Sequence, residues 1–473
     1  MRRSTPWAGF SLGQLWAALA IGASVLLALS GDVVTVDSAY VIRAGSNMLS
    51  SQALLDRDTF TFTIAGEPWI NQQWGAQIIF SLLHRAGGWE LLAIARAILV
   101  GGAFYGIYVT CRWVGAARRV AAGLTLAALA VALPQLGVRS QLFAIVLFVV
   151  SSLVLALRHE RPRMVWTLIP IMVLWVNLHG TFFLLPILVL LALAEDRTAE
   201  VDRRRLLTVG AAALAASIVN PFGLRVWSYV VSVAGDSDVR SAVTEWAPPD
   251  PTTYAGGVFF TSVAAALLFL ATRSRRPNWA LLGGMLFFLV LGSMSERGTI
   301  WWALAMPPML VRHAGLVPQE EREPRSLTNA FIMAMICLMV LPLAPWWRGS
   351  VTGRPLLAEA PHRLTKELSA ATEPGDRIFN AQIWGSWLEL EVPNNPIFID
   401  SRIELFPSHV WSDYRSVSQA RDGWQDILIR WGVDAAILNT EQQEQLIAPM
   451  KEDPGWLLIA ADETGAVFTR VTP

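Results

Sequence analysis

The sequence has little cysteine, little charge and, before position 366, no lysine. Its 2 cysteines, Cys111 and Cys337, both lie inside apolar stretches, so neither a disulfide framework nor a cysteine metal site is expected. Only 16% of the residues are charged and the formal net charge is zero, so the total charge indicates no particular partner. Soluble domains carry about 25% charged residues, and this composition therefore argues against a soluble protein.

The sequence is rich in long apolar stretches. Hydrophobic residues make up 54% of the chain, which also contains 21 Trp. The stretches that predict membrane spans are 11–30, 90–111, 119–134, 140–157, 164–180, 181–194, 206–220, 255–271, 278–294, 299–312 and 328–345. We therefore predict a polytopic α-helical membrane protein of about eleven spans, several of which are shorter than the roughly 20 residues that cross a bilayer. We interpret the first stretch as an uncleaved span and not as a signal peptide, because many spans follow it.

Arginine sets the predicted orientation. Most of the arginines outside the spans fall in alternate connections, for example at Arg112, Arg158, Arg203 and Arg273, and fewer fall in the connections between them. The positive-inside rule places the arginine-rich side in the cytoplasm. We therefore expect an inner-membrane protein with its amino terminus in the cytoplasm and its carboxyl-terminal region outside.

The chain changes character after the last span. Short runs rich in β-formers alternate with segments of helical period from about residue 348, which predicts a small extracytoplasmic α/β domain at 348–473. Residues 1–347 form the predicted transmembrane domain. Its outer loop, 31–89, carries amphipathic helices.

With this topology, the polar residues that interrupt the apolar pattern all map to the outer face. They are Asp37 and Asp58 in the first outer loop, which Trp74 closes, and Arg139, His179, Asn220, Glu245, Glu296 and Arg297. Ionisable groups at membrane depth are costly, so a one-sided cluster of acids, histidine and arginine predicts a functional site. We expect Asp37, Arg139, His179 and Arg297 to converge on one outward-opening cavity.

Each of these residues also has a structural interpretation. Asp37 could be a solvated helix end, the arginines could extend to lipid headgroups, and His179 could be a hydrogen-bonded helix terminus. Asn220 precedes Pro221, a pair typical of turns. Tryptophan pairs such as Trp301-Trp302 are typical of the interfacial aromatic belt.

Several short motifs along the chain resemble those of a known protein family. They are DTFTF at 58–62, QW at 73–74, RSQLF at 139–143, NLHG at 177–180, NPFG at 220–223, EWAPP at 245–249 and FIDSR at 398–402. Together with Asp37 after the first helix, the long first outer loop and the α/β tail, they resemble the GT-C class of membrane glycosyltransferases, within a group of largely uncharacterised bacterial proteins. That class has an acidic pair after its first helix. Here Ser38 follows Asp37, so a second carboxylate would have to come from Asp58.

The resemblance implies transfer of a hexose or pentose from a polyprenyl-phosphate donor to an extracytoplasmic glycan, lipid or protein. It implies that Asp37 acts as general base and that Arg139 and Arg297 bind the phosphate, for which a guanidinium fork is suited. A divalent Mg or Mn ion would bind between Asp58 and His179. Other expected catalytic or substrate-binding residues are Asp58, His179, Trp74, Asn220, Glu245, Asp400 and Arg402. Asp400 and Arg402 would cover the acceptor as a lid or form a salt bridge inside the tail. Membrane lipid is an expected partner and nucleic acid is not.

Two other functions fit part of the pattern. A transporter also carries polar residues in broken helices, but this sequence shows no half-to-half repeat and confines its polar residues to one face. A structural or sensory membrane protein with a ligand-binding tail would leave Asp37 dispensable.

Overall fold

The computed structural model describes residues 9–195, 200–235, 246–273, 276–315, 325–352 and 355–471, and Glu245 lies outside these ranges. The α-helices are α1 Leu12–Ser30, α2 Thr35–Ser51, α3 Trp74–Trp113, α4 Arg118–Ala132, α5 Gln141–Ala156, α6 Leu168–Leu178, α7 Leu184–Glu195, α8 Glu200–Ala216, α9 Arg225–Gly235, α10 Tyr254–Ala271, α11 Trp279–Met294, α12 Thr299–Ala314, α13 Leu327–Val340, α14 Pro345–Thr352, α15 His362–Ala371, α16 Gln382–Glu391, α17 Ser408–Ser418, α18 Trp424–Trp431 and α19 Thr440–Glu452. The strands are β1 Phe10–Ser11, β2 Arg325–Ser326, β3 Ile378–Asn380, β4 Ala435–Asn439, β5 Trp456–Ala461 and β6 Gly465–Arg470.

Every apolar stretch predicted as a membrane span coincides with a helix, from α1 to α13. Among the described residues, α1, α3 and α10 are long and apolar enough to cross a membrane by length and composition. Shorter apolar helices lie at Gln141–Ala156, Pro162–Leu178, Gly180–Glu195, Trp279–Met294 and Leu327–Leu343. The predicted fold class, largely helical with a small carboxyl-terminal sheet, is confirmed. The count of eleven crossings stays a prediction.

The chain divides into two compact units. The first, which we call the helical unit, contains Met1–Asp32, Gly87–Val230 and Val243–Leu356. The second, the mixed unit, contains Val33–Ala86, Val231–Ala242 and Leu357–Pro473. The first outer loop therefore groups with the carboxyl-terminal region.

In the helical unit α1 packs against α4 and α13, and α12 packs against α4 and α11. A capping box at Ser11 and Gln14 starts α1, and β1 pairs antiparallel with β2 next to it. Glycines allow close approach between helices: a Cβ on Gly106 would lie 2.5 Å from Val149 Cγ1. Small residues of this kind are typical of helices packed in membranes, where backbone proximity supplies the contact.

Two buried arginines close the end of α1. Arg96 on α3 donates to the carbonyl oxygens of Gly31 and Asp32, at 2.6 and 2.8 Å. Arg348 on α14 donates to the Gly31 carbonyl at 2.9 Å and pairs with the Asp32 carboxylate. Gly31 and Asp32 directly follow the last residue of α1, so these guanidinium groups hold the chain at the point where the helix ends.

The sheet of the mixed unit has the order β3-β4-β6-β5. β3 and β4 are parallel, while β6 is antiparallel to both β4 and β5. Two further segments continue the sheet beyond β3. Ile397 bridges in parallel to Ile378, and Thr61 bridges in parallel to Ile397 on its other side. The DTFTF motif at 58–62 thus joins the FIDSR motif at 398–402 as an added edge segment.

Candidate active site

Asp37 lies in the first turn of α2, in the mixed unit. The sequence suggested that Asp37 lies at the end of the first helix. In the structure α1 ends at Ser30, and Asp37 belongs to the second helix instead. A carboxylate in the first turn complements the positive end of the helix dipole. Tyr40 follows one turn later, and positions i and i+3 share a helix face. Asp37 is partly exposed, whereas Tyr40 is buried.

The Tyr40 hydroxyl lies among charged groups. Burial, followed by the negative charges of Asp37 and Glu404, raises the pKa of Tyr40 well above its ordinary value. The charges of Arg402 and Asp400 also act on it, in opposite directions. The phenol therefore stays protonated and can donate a hydrogen bond.

Asp58 is 2% exposed and sits inside the mixed unit. Its Oδ2 accepts hydrogen bonds from the Thr61 backbone N–H at 3.1 Å and the Thr61 hydroxyl at 2.8 Å. Its Oδ1 accepts from Arg402 Nη2 at 2.6 Å. These contacts give Asp58 a role in holding the first outer loop, and its catalytic role stays a prediction.

Arg402 is the centre of this buried group. Its Nε donates to Asp400 Oδ2 at 2.9 Å, its backbone N–H donates to Asp400 Oδ1 at 2.6 Å, and its Nη2 reaches both Asp58 and Asp400. The rings of Phe60 and Trp69 lie 4.8 and 4.7 Å from its guanidinium carbon. Burial alone would lower the pKa of Arg402, but Asp400, Asp58 and Glu389 raise it above the usual value. Asp400 and Arg402 therefore form the internal salt bridge that was one of their two expected roles.

Glu389 on α16 is the third carboxyl group near Arg402, with Oε1 3.7 Å from Nη2. Burial and then the negative charge of Asp400 raise the pKa of Glu389 well above its ordinary value. Neither oxygen accepts a hydrogen bond from the described residues. A protonated Glu389 can instead donate to Asp400, which explains how a third acid is tolerated beside Arg402.

Trp74 begins α3 and is partly buried. Just before it, the Asn71 and Gln77 amides exchange two hydrogen bonds of 2.7 Å. This pair fixes the start of α3 and with it the QW motif. Substrate contact by Trp74 stays a prediction.

Arg139, His179 and Arg297 lie in the helical unit. His179 caps the end of α6 and then accepts a hydrogen bond at Nδ1 from the Thr181 backbone N–H, at 3.2 Å. In a neutral ring the proton is therefore on Nε2. The positive charges of Arg297 and Arg139 both act on this ring, so these three residues form one electrostatic group. The Arg297 guanidinium also lies 5.4 Å from the Trp246 ring centre.

Asn220 stabilises its own turn. Its Nδ2 donates to the carbonyl oxygens of Ser217 and Gly223, at 2.8 and 3.0 Å, and its Oδ1 accepts from the Phe222 N–H at 2.8 Å. The turn needs glycine at its end, since Gly223 has φ +58°. Substrate binding by Asn220 and by Glu245 stays a prediction.

The donors proposed for a metal ion do not fit one. Within the described ranges there is no group of three or more His, Cys, Asp or Glu side chains that could hold a metal. Both Asp58 oxygens are occupied by Arg402 and Thr61, and His179 Nδ1 is occupied by Thr181.

Sequence reasoning missed Tyr40 and Glu389. Tyr40 was detectable as the residue one helical turn beyond Asp37 in a segment of helical period. Glu389 lies in the run QIWGSWLELE, where a carboxylate among tryptophan and leucine residues indicates burial.

Comparison with solved structures shows the fold. The Archaeoglobus fulgidus oligosaccharyltransferase in the apo form matches over 90% of this chain and 70% of its own, with a TM-score of 0.53 and 12% identity. ArnT from Cupriavidus metallidurans bound to undecaprenyl phosphate matches over 97% of this chain and 98% of its own, with a TM-score of 0.51 and 14% identity. Both are GT-C glycosyltransferases.

The chain has a GT-C fold. The resemblance inferred from the motifs is thus confirmed for the fold. The same oligosaccharyltransferase tethered to an acceptor peptide with the NVT sequon matches over 97% of this chain and 74% of its own, with a TM-score of 0.55 and 12% identity. No protein-family model matches the sequence, and a search of curated proteins found no relative. The GT-C fold at such low identity leaves the reaction to be argued from the residues.

Proposed function

We propose that this protein is a membrane glycosyltransferase that transfers a sugar from a polyprenyl-phosphate donor to an extracytoplasmic acceptor. The observation that carries the proposal is the shared fold with ArnT bound to undecaprenyl phosphate, which extends over 97% of this chain. A fold shared over nearly the full length includes the first outer loop, where the acidic residues lie.

In the proposed reaction Asp37 is the general base. An acceptor hydroxyl oxygen forms a bond to the anomeric carbon, the bond from that carbon to the phosphate oxygen breaks, and the hydroxyl proton passes to the Asp37 carboxylate. The position of Asp37 supports this role, because it is the partly exposed acid in the first turn of α2. Asp58 and Asp400, by contrast, are held in buried ion pairs.

Arg139 and Arg297 are the proposed phosphate ligands. Negative charge develops on the phosphate as it leaves, and fixed positive groups stabilise that charge. In the helical unit the positive charges of both arginines act on His179, which supports a shared anion site. His179 can donate from Nε2 to the same anion.

The test of the base uses Asp37→Asn in the full-length protein, reconstituted in lipid nanodiscs. Undecaprenyl-phosphate-linked glucose, mannose and arabinose, each radiolabelled, serve as donors, and a membrane glycan extract serves as acceptor. We expect Asp37→Asn to lower kcat by about 10²- to 10⁴-fold. Asp56→Asn, an exposed acid in the same loop, is the matched control and keeps full activity. Equal transfer by both variants would refute the assignment of Asp37.

The test of the phosphate ligands compares Arg139→Ala and Arg297→Ala with Arg225→Ala, an exposed arginine predicted on the same side. Loss of a hydrogen bond to a charged group predicts a fall of about 10- to 100-fold in kcat/KM for the donor. Arg225→Ala should leave this value unchanged. Wild-type donor turnover in both test variants would remove the phosphate role.

A further inference from the structure

Trp246 lies in the EWAPP motif at 245–249, directly after Glu245, which falls outside the described residues. Its ring is partly buried, and the guanidinium carbon of Arg297 lies over it, 5.4 Å from the ring centre. This distance is within the roughly 6 Å over which the face of an aromatic ring attracts a cation, and tryptophan gives the strongest attraction of this kind. The EWAPP motif therefore contacts one of the two arginines proposed to bind the donor phosphate.

The backbone segments that carry these two side chains are joined. The Glu296 N–H donates to the Ala247 carbonyl at 3.0 Å. This bond connects the residue before Arg297 to the residue after Trp246. A Cβ on Gly298, which follows Arg297, would lie 2.1 Å from a backbone carbonyl oxygen of α11, so the turn that carries the arginine packs closely on that helix. The ring and the guanidinium are therefore presented to each other by two closely packed segments.

An aromatic ring is a suitable support for an arginine that binds phosphate. The arginine side chain has several rotatable bonds, and immobilising them when a ligand binds lowers the affinity. A carboxylate can also hold a guanidinium, but it uses N–H donors and offsets the charge that attracts a phosphate. Contact with a ring face restrains the guanidinium and leaves its charge in place. The Trp246 ring therefore restrains Arg297 without neutralising it.

We propose that Trp246 is a positioning residue, which holds Arg297 in the orientation that binds the phosphate of the lipid-linked donor. This inference rests on the phosphate role given to Arg297 in the proposed function. Trp246 acts through the guanidinium and does not contact the reacting atoms. Its removal therefore weakens use of the donor only while Arg297 is present.

The test is a double-mutant cycle of Trp246→Leu and Arg297→Ala. It uses the full-length protein in nanodiscs, the radiolabelled undecaprenyl-phosphate sugars and the membrane glycan extract. We expect Trp246→Leu to lower kcat/KM for the donor by about 3- to 10-fold, chiefly through KM. Trp246→Phe keeps an aromatic ring and should recover most of this loss. In the Arg297→Ala background, Trp246→Leu should cause no further fall.

Trp113→Leu is the matched control. Trp113 also lies under a guanidinium, with the Arg161 carbon 5.9 Å from its ring centre, but it ends α3 on the side predicted to be cytoplasmic. We expect it to leave donor kcat/KM unchanged. Trp246→Gln is a second non-aromatic variant, which a partly exposed position accepts, and it should show the same loss as Trp246→Leu. Thermal unfolding of each variant establishes that it is folded.

An equal fall for Trp246→Leu with and without Arg297 would overturn the positioning role. The same holds if Trp246→Phe is as impaired as the two non-aromatic variants. Wild-type donor use in Trp246→Leu, together with a loss in Arg297→Ala, would refute this inference alone and leave the phosphate role of Arg297 intact. Wild-type donor use in Arg297→Ala, or no label transferred from any donor, would instead remove the proposed function on which the inference rests.

Discussion

At the residue scale, the mixed unit is organised around one buried cation. Arg402 pairs with Asp58 and Asp400 and lies between two aromatic rings, Phe60 and Trp69. Two of these contacts reach from the carboxyl-terminal FIDSR motif to the first outer loop. Buried ion pairs contribute little net stability when intact, but removal of one partner leaves uncompensated charge. The cluster therefore acts chiefly by penalising any arrangement that separates the loop from the tail.

Arg402→Met tests that interpretation. The substitution keeps much of the side-chain volume and removes the charge, so Asp58 and Asp400 remain buried without a cation. We expect a loss of about 3–5 kcal/mol of stability, measured by thermal unfolding of the purified protein. Arg430→Met is the matched control, because Arg430 is 61% exposed in its pair with Asp413 and such pairs are worth less than about 1 kcal/mol. Equal shifts in Tm for the two variants would contradict the prediction.

Glu389 gives the mixed unit a pH dependence with a definite sign. Burial raises its pKa in the folded state, so the folded protein holds a proton that the unfolded chain releases above about pH 4.3. Its contribution to stability is complete below that pH and falls, by at most about 1.4 kcal/mol per pH unit, until the folded pKa is passed.

In Glu389→Gln the amide can donate to Asp400, as a protonated acid can, but position 389 no longer titrates. We expect wild type and variant to unfold at similar temperatures near pH 4, with the variant increasingly more stable as the pH rises. Thermal unfolding from pH 4 to pH 8 measures the difference. A gap between the two proteins that does not change with pH would show that Glu389 is ionised in the folded state.

At the element scale, the sequence predicted local features well. Apolar runs predicted α1, α3 to α8 and α10 to α13, because a helix that faces lipid or apolar neighbours needs little beyond its own composition. The runs rich in β-formers at 377–380, 435–438, 456–460 and 466–470 predicted the four strands of the small sheet to within one residue at each end, while the similar run at 396–400 forms only single bridges. Motif likeness predicted the GT-C fold.

The pairing between distant segments could not be predicted in this way. Thr63 donates to the Phe398 carbonyl across 335 positions, and the contact of Asp58 with Arg402 spans 344. Apolar periodicity reports which face of an element is buried but not against which partner. Both motifs could therefore be recognised in the sequence, but the contact between them could not be predicted.

Helix α2, which carries Asp37 and Tyr40, depends on one glycine for its position. A Cβ on Gly45 would lie 2.0 Å from the Gln77 carbonyl oxygen on α3, so α2 approaches the α3 backbone more closely than any side chain allows. We expect Gly45→Ala to cost about 1–3 kcal/mol and to lower transfer, because the helix must move. Gly123→Ala on α4 is the control: nothing lies within 4 Å of its Cβ, and alanine there should stabilise by up to about 1 kcal/mol. Thermal unfolding and transfer assays on both variants decide the point.

At the scale of the whole molecule, a common fold persists at 12–14% identity. Apolar side chains of similar volume can replace one another in packed helices with little cost, so the fold constrains composition more than sequence. The short motifs lie where backbone segments meet or where charges are held, at 58–62 and 398–402 for example. Such positions need particular side chains. The motifs could therefore be recognised although the overall sequence identity is low.

The orientation across the membrane is the remaining prediction at this scale. The arginine distribution predicts that the carboxyl-terminal region lies outside, and the proposed donor and acceptor chemistry requires Asp37 on that same side. Alkaline phosphatase fused after Pro473 should be active, and green fluorescent protein at the same point should be dark. Fusions after Arg163, in a connection predicted to be cytoplasmic, should give the reverse result. A fluorescent fusion after Pro473 would place the tail in the cytosol, where polyprenyl-phosphate transfer to an extracytoplasmic glycan cannot take place.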